Sequence, residues 1–359
     1  MALPTKFERI MHRRKIRILI TVMAAVIIAG AAGLYGYVML VSNTAFSGEP
    51  KMFYITRALD TPDVVSKLSR EGLIRHSRTF RLAMQWTGIN TFQPGRYEMV
   101  PGMNNRQMLR IFHEGDQKLV EVPVTHLRDV SRIAGRLAQY LEYDSLTYAS
   151  WLLNPVRMDS LGFTPATWPA FFPAGTYSFR WTDHPSAILA QFRNRYEAFW
   201  TDGRKAKADQ LGLTPAEVAT LASIVKGETM KRVEAPRIAG LYLNRLRMGM
   251  PLQADPTVVF ALGLDTRSQV LFSDLEVNSS YNTYRNPGLP PGPIFITEPE
   301  YLDAVLEYEQ HAYIYMCALP GGSGEHAFAS NYSEHLKNAD AYRTWLRNAQ
   351  NQPAASSIQ

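Results

Sequence analysis

The chain has 359 residues, two to three domains' worth by length, and its 46% hydrophobic, 19% charged and 11% aromatic residues exclude disordered, collagen-like and coiled-coil classes for the bulk of it. A single cysteine, Cys317, excludes an intramolecular disulfide framework and a Cys-rich zinc site. The formal charge is +6, but Lys6, Arg9, Arg13, Arg14, Lys15 and Arg17 stand before Ile18 against Glu8 alone, a net +5, which leaves +1 for everything after; a nearly neutral remainder argues against nucleic acid as a partner.

Residues 18–41, ILITVMAAVIIAGAAGLYGYVMLV, hold no charge. At 1.5 Å per residue they are long enough to cross a hydrocarbon core of about 30 Å. A cleavable signal peptide usually has an apolar region of only about 7–15 residues, so the segment reads as an uncleaved transmembrane helix. The basic cluster at 1–17 predicts a cytoplasmic N-terminus, with all that follows Val41 on the far side of the membrane.

After a polar linker at 42–51, MFYITRAL alternates like a strand, and Asp60-Thr61-Pro62 opens a helix through Arg70. Further helices fit Arg78 to Thr87 and Asn104 to Gly115. The strands RYEMV and LVEVPV complete a small βα module over 52–125. Residues 126–205 read as mostly helical, interrupted by TWPAFFPAGTYSFRW, whose aromatics either fill a core or stack on sugar rings. A further domain is expected over 206–347. YIYMCAL and HAFAS look like paired strands around a GGSG turn, and the tail at 348–359 lacks apolar periodicity and is expected to be disordered.

Thr214-Pro215-Ala216-Glu217 is a strong helix start. In the helix that follows, Val218, Leu221, Ala222 and Val225 form one stripe, and Glu228, one heptad after Leu221, continues it. A carboxyl on an apolar stripe has a raised pKa, as a general acid near neutral pH requires. Two other readings of Glu228 stay open: a surface residue where the helix frays, or an ion-pair partner of Arg237 or Arg245. Lys226, about 160° from Glu228 around the axis, is expected to face solvent. Asp255 before Pro256 is either a second catalytic carboxylate or a helix N-cap. SYNTYRNPGLPPGPI supplies a rigid wall carrying Tyr281, Asn282 and Tyr284, suited to a glycan groove or to a plain surface loop. The histidines include no H-x-x-x-H pair, there is no G-x-S-x-G, and GGSGEH lacks a P-loop lysine, so neither a metal nor a cofactor is expected.

LASIVKGET, RIAGLYLNRLRMGMPLQADPTV, YNTY and GLPPGPI together resemble the endolytic murein transglycosylases, the YceG-like family, and the similarity runs from about Phe53 to Leu346. The resemblance implies an α+β protein with a transmembrane helix, a LysM-like module and a mixed α/β catalytic domain. It implies a cell inner membrane anchor and cleavage of nascent peptidoglycan strands, beside peptidoglycan synthases as partners. The catalytic residue would be Glu228, the Glu before Thr in SIV-x-x-ET. It would protonate the bond between N-acetylmuramic acid and N-acetylglucosamine, then act as base on the muramyl C6 hydroxyl, leaving a 1,6-anhydro end. Asn244, Gln253, Asp255, Tyr281, Asn282 and Tyr284 would orient the strand. Two departures stand out: Lys226 where members usually carry Glu, and Phe172 to Tyr177, which lacks the usual polar residue before Thr176. A hydrolytic muramidase using Glu228 with Asp255, and a non-catalytic peptidoglycan-binding scaffold, are the alternatives.

Overall fold

A computed structural model describes residues 6–264 and 270–351. The protein is mostly helical with small two-stranded sheets, an α+β architecture, and divides into two compact units: residues 1–120 with 180–182, and residues 121–179 with 183–359.

The first unit opens with helix α1 (Lys6–Leu40), of which Met11–Leu40 is long and apolar enough to cross a membrane. Strand β1 (Lys51–Ile55), helices α2 (Thr61–Arg70) and α3 (Ser77–Thr87), strand β2 (Gly95–Met99) and helix α4 (Asn105–Glu114) follow. β1 and β2 pair antiparallel with Phe53 opposite Tyr97, and both rings are fully buried against Phe112, Leu68 and Phe80. Local chemistry sets the helix ends. Asp60 accepts from the Asp63 amide at 2.9 Å, and Asn104 with Gln107 forms a reciprocal capping box at the start of α4. Residues 42–51, read as a linker, are tied in at their first half: Ser42 bridges to Asn104, Thr44 to Ile74, and Asn43 is buried.

Strand β3 (Val120–Val124) was expected to close this module. It pairs instead with β4 (Gly175–Phe179). Its alternating Val120, Val122 and Val124 are buried and form one apolar face, and the partner strand comes from far along the sequence, where local pattern is blind.

In the second unit, α5 (Val130–Tyr140) packs on α6 (Ser145–Leu152), and the short α7 (Pro155–Ser160) leads into the aromatic segment. There Trp168, Phe171 and Phe172 are buried, Trp168 stacking on Phe171 and Phe171 meeting Phe172 edge-on, so these aromatics are core. After α8 (Pro185–Phe199) and α9 (Asp202–Leu211) comes α10 (Pro215–Glu228), started by a Thr214–Glu217 capping box. Every residue of α10 from Val218 to Lys226 is buried, the signature of a helix enclosed on all sides. α11 (Ala235–Arg247), α12 (Asp255–Ala261) and α13 (Pro299–Leu306) pack against it. Gly227 is what permits the last turn of α10 to meet α12, since a Cβ there would lie 2.6 Å from Pro256.

The enclosure overturns the expectation for Lys226. Its ammonium is buried, donates to the Ile296 carbonyl at 3.1 Å and lies 2.6 Å from Glu298 Oε2. The face of α10 opposite Glu228 meets a second protein wall, not water. Strands β5 (Tyr315–Ala318) and β6 (His326–Ala329) pair antiparallel, and α14 (Tyr332–Asn351) ends the described chain. The first four residues expected in a disordered tail, 348–351, thus belong to α14, while 352–359 lie outside the described residues.

Candidate active site

α10 delivers Glu228 as its final residue, at the point where Thr229 turns to extended backbone and the helix stops. The carboxyl enters a cleft of about 260 Å³ lined by Tyr242, Arg245, Gln253, Asp255, Tyr284 and His326, among others. Glu228 keeps partial exposure to this cleft. Tyr242, on α11, donates its hydroxyl to Glu228 Oε1 at 2.6 Å. Burial is the main reason that the Glu228 pKa rises to about 7; the Tyr242 hydrogen bond pulls it back, the Asp255 charge raises it further, and Arg245 lowers it. Burial, with the Glu228 charge and hydrogen bond, also pushes the Tyr242 hydroxyl well above its ordinary value, so it remains a donor. A carboxyl poised near neutrality can release a proton and take one back without a change of pH.

Neither Arg237 nor Arg245 is the ion-pair partner that would make Glu228 merely structural. Arg237 is paired with Glu309 at 3.0 Å. Arg245 donates through Nε to the Ile314 carbonyl at 2.7 Å and through Nη1 to the Leu252 carbonyl at 2.8 Å, so it braces the strand and the loop that flank the cleft.

Asp255 is the first residue of α12, and the N-cap is Ala254, so the N-cap reading of Asp255 is corrected by one position. Its Oδ1 accepts instead from the Tyr284 hydroxyl at 2.6 Å. The Asp-Pro step still marks the helix start because Pro256 suits the first turn. Gln253 sits at φ 52°, a left-handed conformation unusual for a residue with a side chain. Its amide bonds the Thr283 carbonyl at 3.1 Å while Oε1 accepts from Arg245 Nη1 at 3.2 Å, which aligns the cleft floor.

Gln253, Asp255 and Tyr284 thus join Glu228 at the cleft, whereas Asn244, Tyr281 and Asn282 do not line it. The Asn244 amide donates to the carbonyls of His311 and Tyr313, fastening α11 to the segment before β5. Asn282 is fully buried, donates to the carbonyls of Leu275 and Val277, and accepts from the Tyr284 amide, so it shapes the loop that presents Tyr284. The Tyr281 ring packs on Phe260, centroids 4.7 Å apart. Each was expected to contact substrate, and each is held by the protein's own backbone or core.

Tyr242, Arg245 and His326 are among the cleft residues that were not anticipated as site residues. Tyr242 and Arg245 lie inside α11, where they look like ordinary amphipathic helix positions. His326 follows the glycine-rich turn. Its amide donates to Glu234 Oε1 at 2.9 Å and its Nδ1 lies 3.1 Å from Oε2 of that buried carboxylate, which fixes the ring at the cleft wall. Ala174 and Gly175, which precede Thr176 where the resemblance led to a polar residue, bring no polar side chain; Gly175 begins β4, and buried Ala174 donates its amide to the Thr297 carbonyl at 3.0 Å, away from this cleft.

The YceG-like family profile matches residues 53–341. The chain is 26% identical over 336 residues to the endolytic murein transglycosylase of Bacillus subtilis, covering 88% of this chain and 91% of that protein. It is 22% identical over 347 residues to the endolytic murein transglycosylase of Streptococcus pneumoniae, covering 86% of this chain and 62% of that longer relative. Among solved structures, the putative yceG-like protein lmo1499 of Listeria monocytogenes is similar with a TM-score of 0.55 at 25% identity, over 81% of this chain and 99% of that one. A profile match across most of the sequence, together with the similarity over nearly the full length of the Bacillus subtilis and Listeria monocytogenes proteins, establishes that the chain belongs to the YceG-like family.

Proposed function

We propose that this chain is a membrane-anchored lytic transglycosylase that cuts nascent peptidoglycan strands internally, with Glu228 as its only acid and base. The observation that carries the reading is the Glu228 carboxyl at a cleft, held by Tyr242 at 2.6 Å and raised to about 7 chiefly by burial. The similar proteins of Bacillus subtilis and Streptococcus pneumoniae are named endolytic murein transglycosylases.

In this mechanism Tyr242 occupies Oε1, so the proton to be transferred sits on Oε2. Protonated Glu228 gives it to the glycosidic oxygen between N-acetylmuramic acid and N-acetylglucosamine. The bond from C1 to that oxygen breaks, and the N-acetylglucosamine side leaves as an alcohol. The muramyl C6 hydroxyl then attacks C1, and its proton passes to the Glu228 carboxylate. The residue returns to its starting form, no water is consumed, and the product carries a 1,6-anhydro ring. An intramolecular nucleophile also has a large proximity advantage over free water. In this reading Gln253, Tyr284 with Asp255, and His326, all of which line the cleft, hydrogen-bond the strand.

The N-terminal residues 1–17 lie in the cytoplasm, the apolar stretch that begins at Ile18 spans the inner membrane once, the module of β1, β2 and α2 to α4 that follows is LysM-like, and 206–347 carry the catalytic domain beyond the membrane. Peptidoglycan synthases that feed new strands are natural partners. The test is mass spectrometry of muropeptides released from peptidoglycan by the full chain in detergent. Anhydromuramyl ends from the wild type and none from Glu228→Gln support the proposal. Reducing ends would mean hydrolysis, with Asp255 as the second carboxylate, and binding without release would mean a scaffold.

A further inference from the structure

The junction between α1 and the rest of the first unit is not a hinge. Val38 and Met39, in the last turn of α1, are buried in the core of this unit at 1% and 2% exposure. The final carbonyls of a helix lack intrahelical partners. Here two of them are claimed by the start of α4: Asn105 Nδ2 donates to the Val38 carbonyl at 2.7 Å, and Asn104 Nδ2 reaches the Leu40 carbonyl at 3.4 Å. Buried Asn43 locks the exit by donating to Asn105 Oδ1 at 2.7 Å while accepting from the His76 amide at 2.8 Å.

A second contact lies further down the helix. Tyr35 of α1 stacks on Trp86 of α3, ring centroids 5.8 Å apart and planes 19° from parallel, with Trp86 41% and Tyr35 50% exposed. Counting about 30 Å of hydrocarbon from Ile18 at roughly 1.5 Å per residue reaches the neighbourhood of Tyr37. Tyr35 and exposed Tyr37 therefore fall where a bilayer changes from acyl chain to headgroup, and the stack brings Trp86 to the same level. Tryptophan and tyrosine favour that depth, because an apolar ring and a polar N–H or O–H are both satisfied there. α3 also carries exposed Arg78 and Arg81 and no acidic residue, which suits anionic headgroups.

We propose that the first unit is seated on the bilayer surface at the C-terminal end of the span, with Trp86 among phospholipid headgroups beside Tyr35. The occupant of this exposed aromatic face is the lipid surface itself, and the face continues that of the anchor. The proposal rests on reading α1 as a membrane span, and its test separates the two.

The full chain is placed in nanodiscs of phosphatidylcholine with phosphatidylglycerol, in which one lipid is brominated either near the carbonyl end or near the tail end of its chains. Tryptophan emission of the wild type should be quenched by the shallow bromine, and this component should be lost in Trp86→Phe. Met23→Trp, made in the Trp86→Phe background, reports the middle of α1 and should be quenched by the deep bromine. Quenching at Met23→Trp with no difference between wild type and Trp86→Phe would overturn the seating while leaving the span. Absence of quenching at Met23→Trp would overturn the span and the seating with it.

Discussion

Tyr242 and Glu228 are joined by a hydrogen bond of 2.6 Å although they sit on different helices, and this bond opposes the burial that raises the carboxyl. Tyr242→Phe keeps the buried ring and removes only the donor. The Glu228 pKa should then climb above its present value of about 7, moving the falling limb of the pH–rate profile to higher pH. Loss of a hydrogen bond to a charged group, with the orientation it provides, should lower the plateau rate by about tenfold or more, on the order of 1.5–3 kcal/mol. A profile that does not move would show that Tyr242 has no part in setting the acid.

Asp255 acts in the opposite direction, since its charge raises the Glu228 pKa. Asp255→Asn should shift the falling limb to lower pH. It retains an oxygen for the Tyr284 hydroxyl and should cost less than about tenfold in rate, roughly 1.4 kcal/mol. Tyr284→Phe should cost more in KM than in kcat. The two changes should be less than additive, because they share one hydrogen bond. A loss in Asp255→Asn equal to that of Glu228→Gln, with the fold intact, would make Asp255 a chemical participant.

Lys226 shows how far a helical wheel reaches. The wheel correctly separates Lys226 from Glu228 around α10, yet it says nothing about what lies beyond the far face, and the neighbours there, Ile296 and Glu298, come from some seventy residues away. The same limit explains Tyr242, whose approach to Glu228 follows no local period, and β3, whose partner strand is remote. Features set by nearby residues were legible: the Thr214–Glu217 capping box, the Asn104 start of α4, and the hairpin of β5 and β6. Asn282 fits a turn as readily as a glycan contact, because its short amide reaches backbone carbonyls as easily as sugar hydroxyls. Only the surrounding loop decides between them.

Lys226→Glu accordingly should not behave as a surface exchange. It would face Glu298 with a second carboxylate where an ammonium now lies at 2.6 Å, both groups being largely buried. Breaking such a pair costs about 3–5 kcal/mol. Thermal unfolding should show a large drop in Tm, and the double variant Lys226→Glu with Glu298→Lys should recover much of it. A single variant as stable as the wild type would mean that the pair is solvated in solution.

Glu228→Gln tests chemistry and thermodynamics in one molecule. The amide has nearly the same shape and can still accept from Tyr242, so the cleft should keep its form and bind glycan. Proton transfer is lost, a contribution typically of about 10²–10⁴-fold in rate, and release of anhydromuramyl ends should nearly cease. Stability carries an independent signature. The Glu228 pKa is about 7 in the folded chain against an ordinary 4.5, so the folded state holds this proton more tightly than the unfolded one. For a group with a raised folded pKa, stability is fully present below the unfolded value and is lost as pH rises to the folded value. The wild type should therefore lose up to about 3 kcal/mol between pH 4.5 and 7 from this group alone, at about 1.4 kcal/mol per pKa unit. Glu228→Gln has no proton to lose, so its Tm should match that of the wild type near pH 4.5 and exceed it above pH 7. Equal Tm at both pH values would show that the Glu228 carboxyl ionises as freely in the fold as in water, and the basis for its role as an acid at neutral pH would fall.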